Sequence, residues 1–217
     1  MEHSKYSMKP ELFAPEEIER RSMEIISRHL QDKQLDPDHQ AVIKRVIHTT
    51  ADFDYADHLW FSPDVVPAAI AALKEGADIV CDTNMAKAGI NKRTLQKLGG
   101  KVHCFMADED VEQEAKARGI TRAAVSMEKA ASLKKPLIFA IGNAPTALLR
   151  LRRLIDENQV TPRLIIGAPV GFVNVVEAKE LFVNADIPAI IARGRKGGSN
   201  VAAAICNALL YTALPRS

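Results

Sequence analysis

Three times in its C-terminal half the chain breaks an apolar run of strand length into a loop of small residues, and this recurrence constrains the fold more than any other feature. The runs are 136–141 before Gly142-Asn143-Ala144-Pro145-Thr146, 163–166 before Gly167-Ala168-Pro169-Val170-Gly171-Phe172, and 188–192 before Arg193-Gly194-Arg195-Lys196-Gly197-Gly198-Ser199. In an open parallel α/β sheet, ligands bind outside the carboxyl ends of the strands, and glycine lets the backbone approach them closely. The three loops are therefore expected to build the functional site.

Upstream the same alternation continues. Residues 77–81 and 101–106 read as two further strands, each followed by helical stretches. Five strands separated by helices predict βαβ units and a mostly parallel sheet, five-stranded or slightly larger, with helices on both faces. Before it lies an N-terminal helical segment, 1–76. Pro15, with Glu16 and Glu17 behind it, opens a helix running to about Leu30. Asp36-Pro37 opens a second, in which Val42, Ile43, Val46 and Ile47 recur at helical spacing and His48 falls near the end. Ser62-Pro63 opens a third, running to Gly76. The alternating part then occupies 77–211.

A hydrophobic content of 47% over 217 residues supports one well-cored domain, so the chain is read as a single α/β domain. No apolar stretch approaches the roughly 20 residues that span a bilayer, and Met1–Lys5 begins no signal peptide. The expectation is a soluble, cytoplasmic protein whose last few residues form a disordered tail. Cys81, Cys104 and Cys206 are odd in number and far apart, so they read as buried thiols rather than a disulfide frame or a metal knuckle. A net charge of +2 and an aromatic content of 5% give no footprint for nucleic acid. No metal-ligand spacing emerges among His29, His39, His48, His58 and His103.

Glycine-rich turns between strand and helix often cradle phosphates, yet neither G-x-x-x-x-G-K-[ST] nor G-x-G-x-x-G with a following acid is present. The Gly194–Ser199 loop could still bind an anion, since it combines flexible backbone, two cations and a serine placed to cap a helix beginning near Asn200. A helix-capping loop with solvated charges explains the same residues.

Taken together, Gly142-Asn143-Ala144-Pro145-Thr146-Ala147-Leu148, Gly167-Ala168-Pro169-Val170-Gly171-Phe172-Val173 and Gly194-Arg195-Lys196-Gly197-Gly198-Ser199 resemble the precorrin-8X methylmutases of corrin biosynthesis. The resemblance continues in order through Glu19-Arg20-Arg21-Ser22, Arg45-Val46-Ile47-His48, Phe61-Ser62-Pro63-Asp64, Cys81-Asp82 with Met85, and Thr121-Arg122. It covers nearly the whole chain. The stretch His48–Phe53 is similar to the cobalt-precorrin branch of the family.

The resemblance implies an isomerase that moves a methyl group from C-11 to C-12 of the macrocycle by a suprafacial 1,5-sigmatropic shift, giving cobyrinate or its metal-free counterpart. Such a shift needs no nucleophile and no cofactor, and any cobalt arrives held by the substrate. One acid to protonate the ring, with many anchors to shape it, would suffice. His48 is the acid the family pattern indicates; read alone, it is a histidine ending a helix and favoured there by the dipole. Asp52 and Asp54 are the nearest acids that could keep it charged.

The substrate implied is a polycarboxylate corrinoid with an apolar ring face, which calls for arginines, amides and backbone N–H groups. Family matching points to Ser22 and Arg122. Ser22 has no intrinsic advantage mid-helix, so a ligand or plain solvent exposure would account for it. Arg122, at a helix start, gains nothing from the dipole unless an anion binds with it. The loops add Asn143, Thr146, Arg193, Arg195, Lys196 and Ser199 as further candidates. Arg150-Leu151-Arg152-Arg153 reads as an exposed helix face, and His103 as a structural histidine in a strand. The resemblance also implies a homodimer, with neighbouring pathway enzymes as candidate partners and neither membrane nor nucleic acid among them. Two other classes remain open: a corrinoid-binding protein without chemistry, and a nucleotide- or phosphate-dependent α/β enzyme.

Overall fold

A computed structural model describes residues 12–215. The Met1–Lys5 stretch read against a signal peptide, and the end of the expected tail at 216–217, lie outside the described residues. The chain divides into two compact units between Gln34 and Leu35. The first unit holds α1 (Pro15–His29), with Glu16 and Glu17 in its first turn and Arg28 and His29 in its last, each sign placed to suit the helix dipole.

The second unit runs through α2 (Gln40–Thr50), α3 (Tyr55–His58), β1 (Leu59–Phe61), α4 (Val65–Lys74), β2 (Asp78–Cys81), α5 (Asn84–Gly89), α6 (Lys92–Lys97), β3 (Val102–His103), α7 (Glu109–Arg118), α8 (Arg122–Ala131), β4 (Leu137–Ile141), α9 (Pro145–Asp156), β5 (Leu164–Gly167), α10 (Val175–Glu180), β6 (Ala189–Ala192) and α11 (Ser199–Ala213). Two helices start later than their proline signals suggest. Asp36 instead forms a turn, its Oδ1 accepting from Asp38 N and its carbonyl from His39 N. Ser62 continues the sheet, exchanging backbone and hydroxyl hydrogen bonds with Ala189, so α4 begins only after Asp64.

Among the described residues six strands form one sheet, in the order β1-β6-β5-β4-β2-β3. The five expected strands are all present and mutually parallel. The sixth, β1, lies antiparallel to β6, pairing Leu59 with Ala192 and Phe61 with Ile190. Three residues behind a single helical turn are too short for a period-two signal, which is why pattern reading misses it. In contrast β3 is shorter than 101–106: only Val102 and His103 pair, with Ile79 and Val80. As an edge strand it has one neighbour, and Cys104 to Met106 leave the sheet.

Parallel strands need both faces covered, and the sequence supplies two kinds of cover. On one face Leu137, Phe139 and Ile141 of β4 pack with Met127 of α8, with Leu148, Leu151 and Leu154 of α9, and with Ala178 and Phe182 from α10 and its end. The opposite face is covered by α11, which packs against β4, β5, α4 and α5 and also carries α2 on its far side. Sandwiched in this way, α11 is buried almost throughout, and its run of alanines lets both neighbours come close. The apolar stripe of α2, Val42, Ile43, Val46 and Ile47, is buried, while the next residue, His48, is exposed.

The connections place the functional end. From β2 the chain moves outward to β3, then returns to β4 on the other side of β2 and continues through β5 to β6. The direction reverses between β2 and β4, so the crevice favoured by ligands opens at their carboxyl ends. There the loops pack backbone to backbone. A Cβ on Gly142 would lie 2.6 Å from Ser199 Cα, and one on Gly197 would lie 2.2 Å from the Ala168 carbonyl oxygen. Gly197→Ala should therefore lower unfolding stability by about 1–3 kcal/mol, the range for overpacking a tight contact; denaturant titration would show it, and an unchanged midpoint would contradict this packing.

Candidate functional site

Two buried charges lash these loops into place. Asp82, the residue after β2, is fully buried. Its carboxylate accepts backbone N–H bonds from Gly142 (2.8 Å), Asn143 (2.8 Å) and Ala144 (2.6 Å), across the reversal between β2 and β4. Burial pushes its pKa up, opposed by those three donors, which favour the anion. Lys179, in α10, is the second. Also fully buried, it donates from Nζ to the carbonyls of Gly194 and Lys196, each at 2.8 Å, and so grips the loop that follows β6. Burial pushes its pKa down to about 8.

Hydroxyl and ionic ties complete the assembly. Thr83 Oγ1 and Ser199 Oγ lie 2.7 Å apart, joining the loop after β2 to the start of α11. Ser199 is thus the first residue of α11 and does not cap it; Gly198, with φ 134, occupies the capping position. Lys196 Nζ donates to Asp52 (2.7 Å) and Asp54 (2.6 Å), joining the β6 loop to the turn after α2. This pairing raises the lysine pKa and lowers that of Asp52. The two acids nearest His48 in sequence are accordingly engaged by a lysine.

His48 lies in the last turn of α2, which Ala51 closes in the left-handed conformation at φ 55. Arg45 sits over the Tyr211 ring near the end of α11, and Lys196, just before α11 begins, reaches the turn beyond α2. The two helices therefore run antiparallel, and His48 arrives at the carboxyl end of the sheet. On the other face Thr121 Oγ1 donates to Thr146 Oγ1 at 2.9 Å, bringing together the first turns of α8 and α9. Thr121 also caps α8, accepting from Ala124 N. Arg122 is thereby presented at that same end, exposed and 3.9 Å from Glu112.

The remaining sequence candidates separate. Asn143 is exposed on the loop held by Asp82, and Arg195 is exposed on the loop held by Lys179. Arg193 turns to Glu180, forming two bonds of 3.0 and 2.9 Å. Ser22 lies on α1 in the N-terminal unit, where its hydroxyl donates to the Ile18 carbonyl at 2.8 Å. The Arg150–Arg153 stretch is not a uniformly exposed face: Leu151 is in the core, and Arg150 sits half-buried with Nε 2.7 Å from Glu128. His103 is structural as read, with Nε2 2.8 Å from Asp78 Oδ2. All three cysteines are free and buried.

Between the polar groups stand exposed large apolar side chains: Met85 in the first turn of α5, and Val170, Phe172 and Val173 on the loop after β5. Among the described residues no cluster of three or more His, Cys, Asp or Glu is placed to hold a metal ion, and no helix is long and apolar enough to cross a membrane. The exposed imidazoles of His48 and of His58, whose Nδ1 lies 2.8 Å from the Asp54 carbonyl, share one end of the sheet with scattered cations and amides and with apolar side chains. The set can donate a proton to, and hold, a large flat ligand with an anionic rim.

Sequence reasoning gave no role to Lys179 and used Asp82 only as part of a motif. A signal existed for Lys179, which falls in register with Val175, Ala178 and Phe182 on the buried stripe of α10. For Asp82 it was a carboxylate directly at a strand end, with no charge partner nearby in sequence.

The precorrin-8X methylmutase family profile matches residues 17–212. The cobalt-precorrin-8 methylmutase of Salmonella typhimurium is 48% identical over 203 residues, 91% of this chain and 95% of that protein. The precorrin-8X methylmutase of Pseudomonas aeruginosa is 41% identical, covering 76% of this chain and 80% of that one. The crystal structure of the Thermus thermophilus precorrin-8X methylmutase superposes with a TM-score of 0.82 at 37% identity, over 90% of this chain and 96% of that one.

Because Lys179 has its pKa depressed on folding, from 10.5 to about 8, the unfolded state binds more protons between those values and stability rises with pH across that window. The stability of the wild type relative to Lys179→Met should therefore improve from pH 8 to pH 10.5, measured by denaturant unfolding of both. A pH-independent difference would show that the buried ammonium titrates normally.

Proposed function

The chain belongs to the precorrin-8X methylmutase family and is an intramolecular methyl-transferring isomerase of cobalamin biosynthesis, and we propose that it performs its C-11 to C-12 methyl shift at the carboxyl end of the sheet with His48 as the proton donor. The observation that carries this reading is the arrival of an exposed histidine, at the end of a helix anchored by its buried apolar stripe, beside loops fixed by Asp82, Lys179 and Lys196. A sigmatropic shift makes and breaks bonds within one conjugated system. The protein's task is then to hold the ring in the reactive shape and to stabilise charge as it develops. Imidazolium is suited to that because it exchanges its proton near neutral pH.

In this reading Arg122, Arg195 and Asn143 meet substrate carboxylates at the rim, with Thr146 and Ser199 contributing through the helix starts they join. Met85, Phe172 and their neighbours face the ring. Lys196 and Arg193, paired with acids, shape the site more than they contact the ligand, and Ser22 enters through the family resemblance alone. No resident cofactor is required, since the reaction has no redox or nucleophilic step, and any metal travels in the substrate. The substrate read here is the cobalt-bearing one, in line with the His48–Phe53 stretch and with the Salmonella relative's name. The profile match spans both compact units, which supports one methylmutase domain over the whole chain. A cytoplasmic homodimer completes the proposal.

His48→Ala should lower turnover of cobalt-precorrin-8 by about 10²-fold or more, the usual scale for a general acid, while product binding followed by visible absorption changes far less. A folded variant that isomerises at the wild-type rate would remove His48 from the chemistry. Arg122→Ala should weaken corrinoid binding by about 1.5–3 kcal/mol, as for a lost charge-assisted hydrogen bond. An unchanged dissociation constant would return Arg122 to the solvated surface.

A further inference from the structure

A fully buried lysine with no carboxylate bonded to it is an expensive feature, because an ammonium removed from water must be compensated by hydrogen bonds. Lys179 directs its Nζ to two backbone carbonyls of one loop, Gly194 and Lys196, at 2.8 Å each. Residues of that loop make several of the links between the end of β6 and the neighbouring loops. Gly198 N donates to the Ala168 carbonyl, and Gly171 N donates to the Arg195 carbonyl, which ties the β5 loop to it. Gly197 packs against Ala168. Lys196 then reaches out from it to Asp52 and Asp54, four and six residues beyond His48.

We propose that Lys179 is a positioning residue for the methyl shift: its ammonium fixes the backbone of residues 194–196, so that the Lys196 side chain can hold the Asp52–Asp54 turn and with it the end of α2 that carries His48. Lys179 itself touches no ligand. Its action is relayed, and the relay has one covalent thread, the backbone at Lys196, whose carbonyl accepts from Lys179 while its ammonium donates to the two aspartates. A hydrophobic residue of similar length could fill the same space, but it could not orient those carbonyls. The geometry thus accounts for a cation where packing alone would favour a methionine or leucine. The inference rests on the methylmutase reading of the His48 site.

The test compares wild type, Lys179→Met, Lys196→Met and the double variant for turnover of cobalt-precorrin-8 and for product affinity by visible titration, with folding checked by circular dichroism. Each single variant should lower kcat by about tenfold or more, within the range by which a small misplacement of a catalytic group slows a reaction. The double variant should be no slower than the slower single one, since both break one relay. Lys179→Gln, which keeps an amide donor, should recover part of the loss. Multiplying effects in the double variant, or a folded Lys179→Met that is less stable yet keeps wild-type kcat, would overturn the proposal. Should Lys179→Met not fold, Lys196→Met decides: its side chain is on the surface, and unchanged kcat there would equally refute the relay. Failure of the wild type to turn over the substrate would instead refute the methylmutase reading.

Discussion

The organisation of this protein depends on one buried carboxylate. Asp82 stands where the direction of strand addition reverses, and three consecutive N–H groups of the loop after β4 converge on it. A loop that turns its amides inward in this way cannot offer them to a phosphate. The N–H groups of Gly142, Asn143 and Ala144 are thus already satisfied from within. The glycines serve a different need, the contact of Gly142 with the start of α11 and of Gly197 with Ala168. Close backbone approach here packs one loop on another.

Lys179 does for the β6 loop what Asp82 does for the β4 loop, with the opposite charge. The two clamps lie on different elements, Asp82 just after β2 and Lys179 in α10, and do not neutralise each other through a direct bond; each is satisfied by backbone groups alone. Burying charge against backbone dipoles gives directional bonds at the cost of desolvation. That exchange suits a site whose chemistry asks for shape above all. A concerted methyl migration leaves the protein little covalent work, so in the proposed reading rigid loops around the ring and one well-placed proton donor stabilise its transition state.

Much of this was legible in the residues. Five strands, their largely parallel pairing, α1 to within a residue, and His48 at a helix end follow from periodicity and turn chemistry, while the order of the strands in the sheet does not. What escaped was either short or relational. β1 holds only three residues and is defined by its partner β6, and β3 ends early because an edge strand has one neighbour. Ser199 follows the glycines as a cap would, yet its hydroxyl goes to Thr83, 116 residues away. Lys196 reads as a free cation until Asp52 and Asp54 are folded onto it. Sequence reports which side chains can bond; distant partners decide which of them remain for a ligand.

The central claim is that the macrocycle binds at the carboxyl end of the sheet with its reacting edge at His48. A crystal structure of the chain with its corrinoid product bound would test this most directly. The account predicts the ring over Met85 and Phe172, with the His48 imidazole within hydrogen-bond reach of the macrocycle near the migrated methyl group and carboxylates reaching Arg122 and Arg195. A ring seated elsewhere, or at this end with His48 turned away from it, would contradict the account.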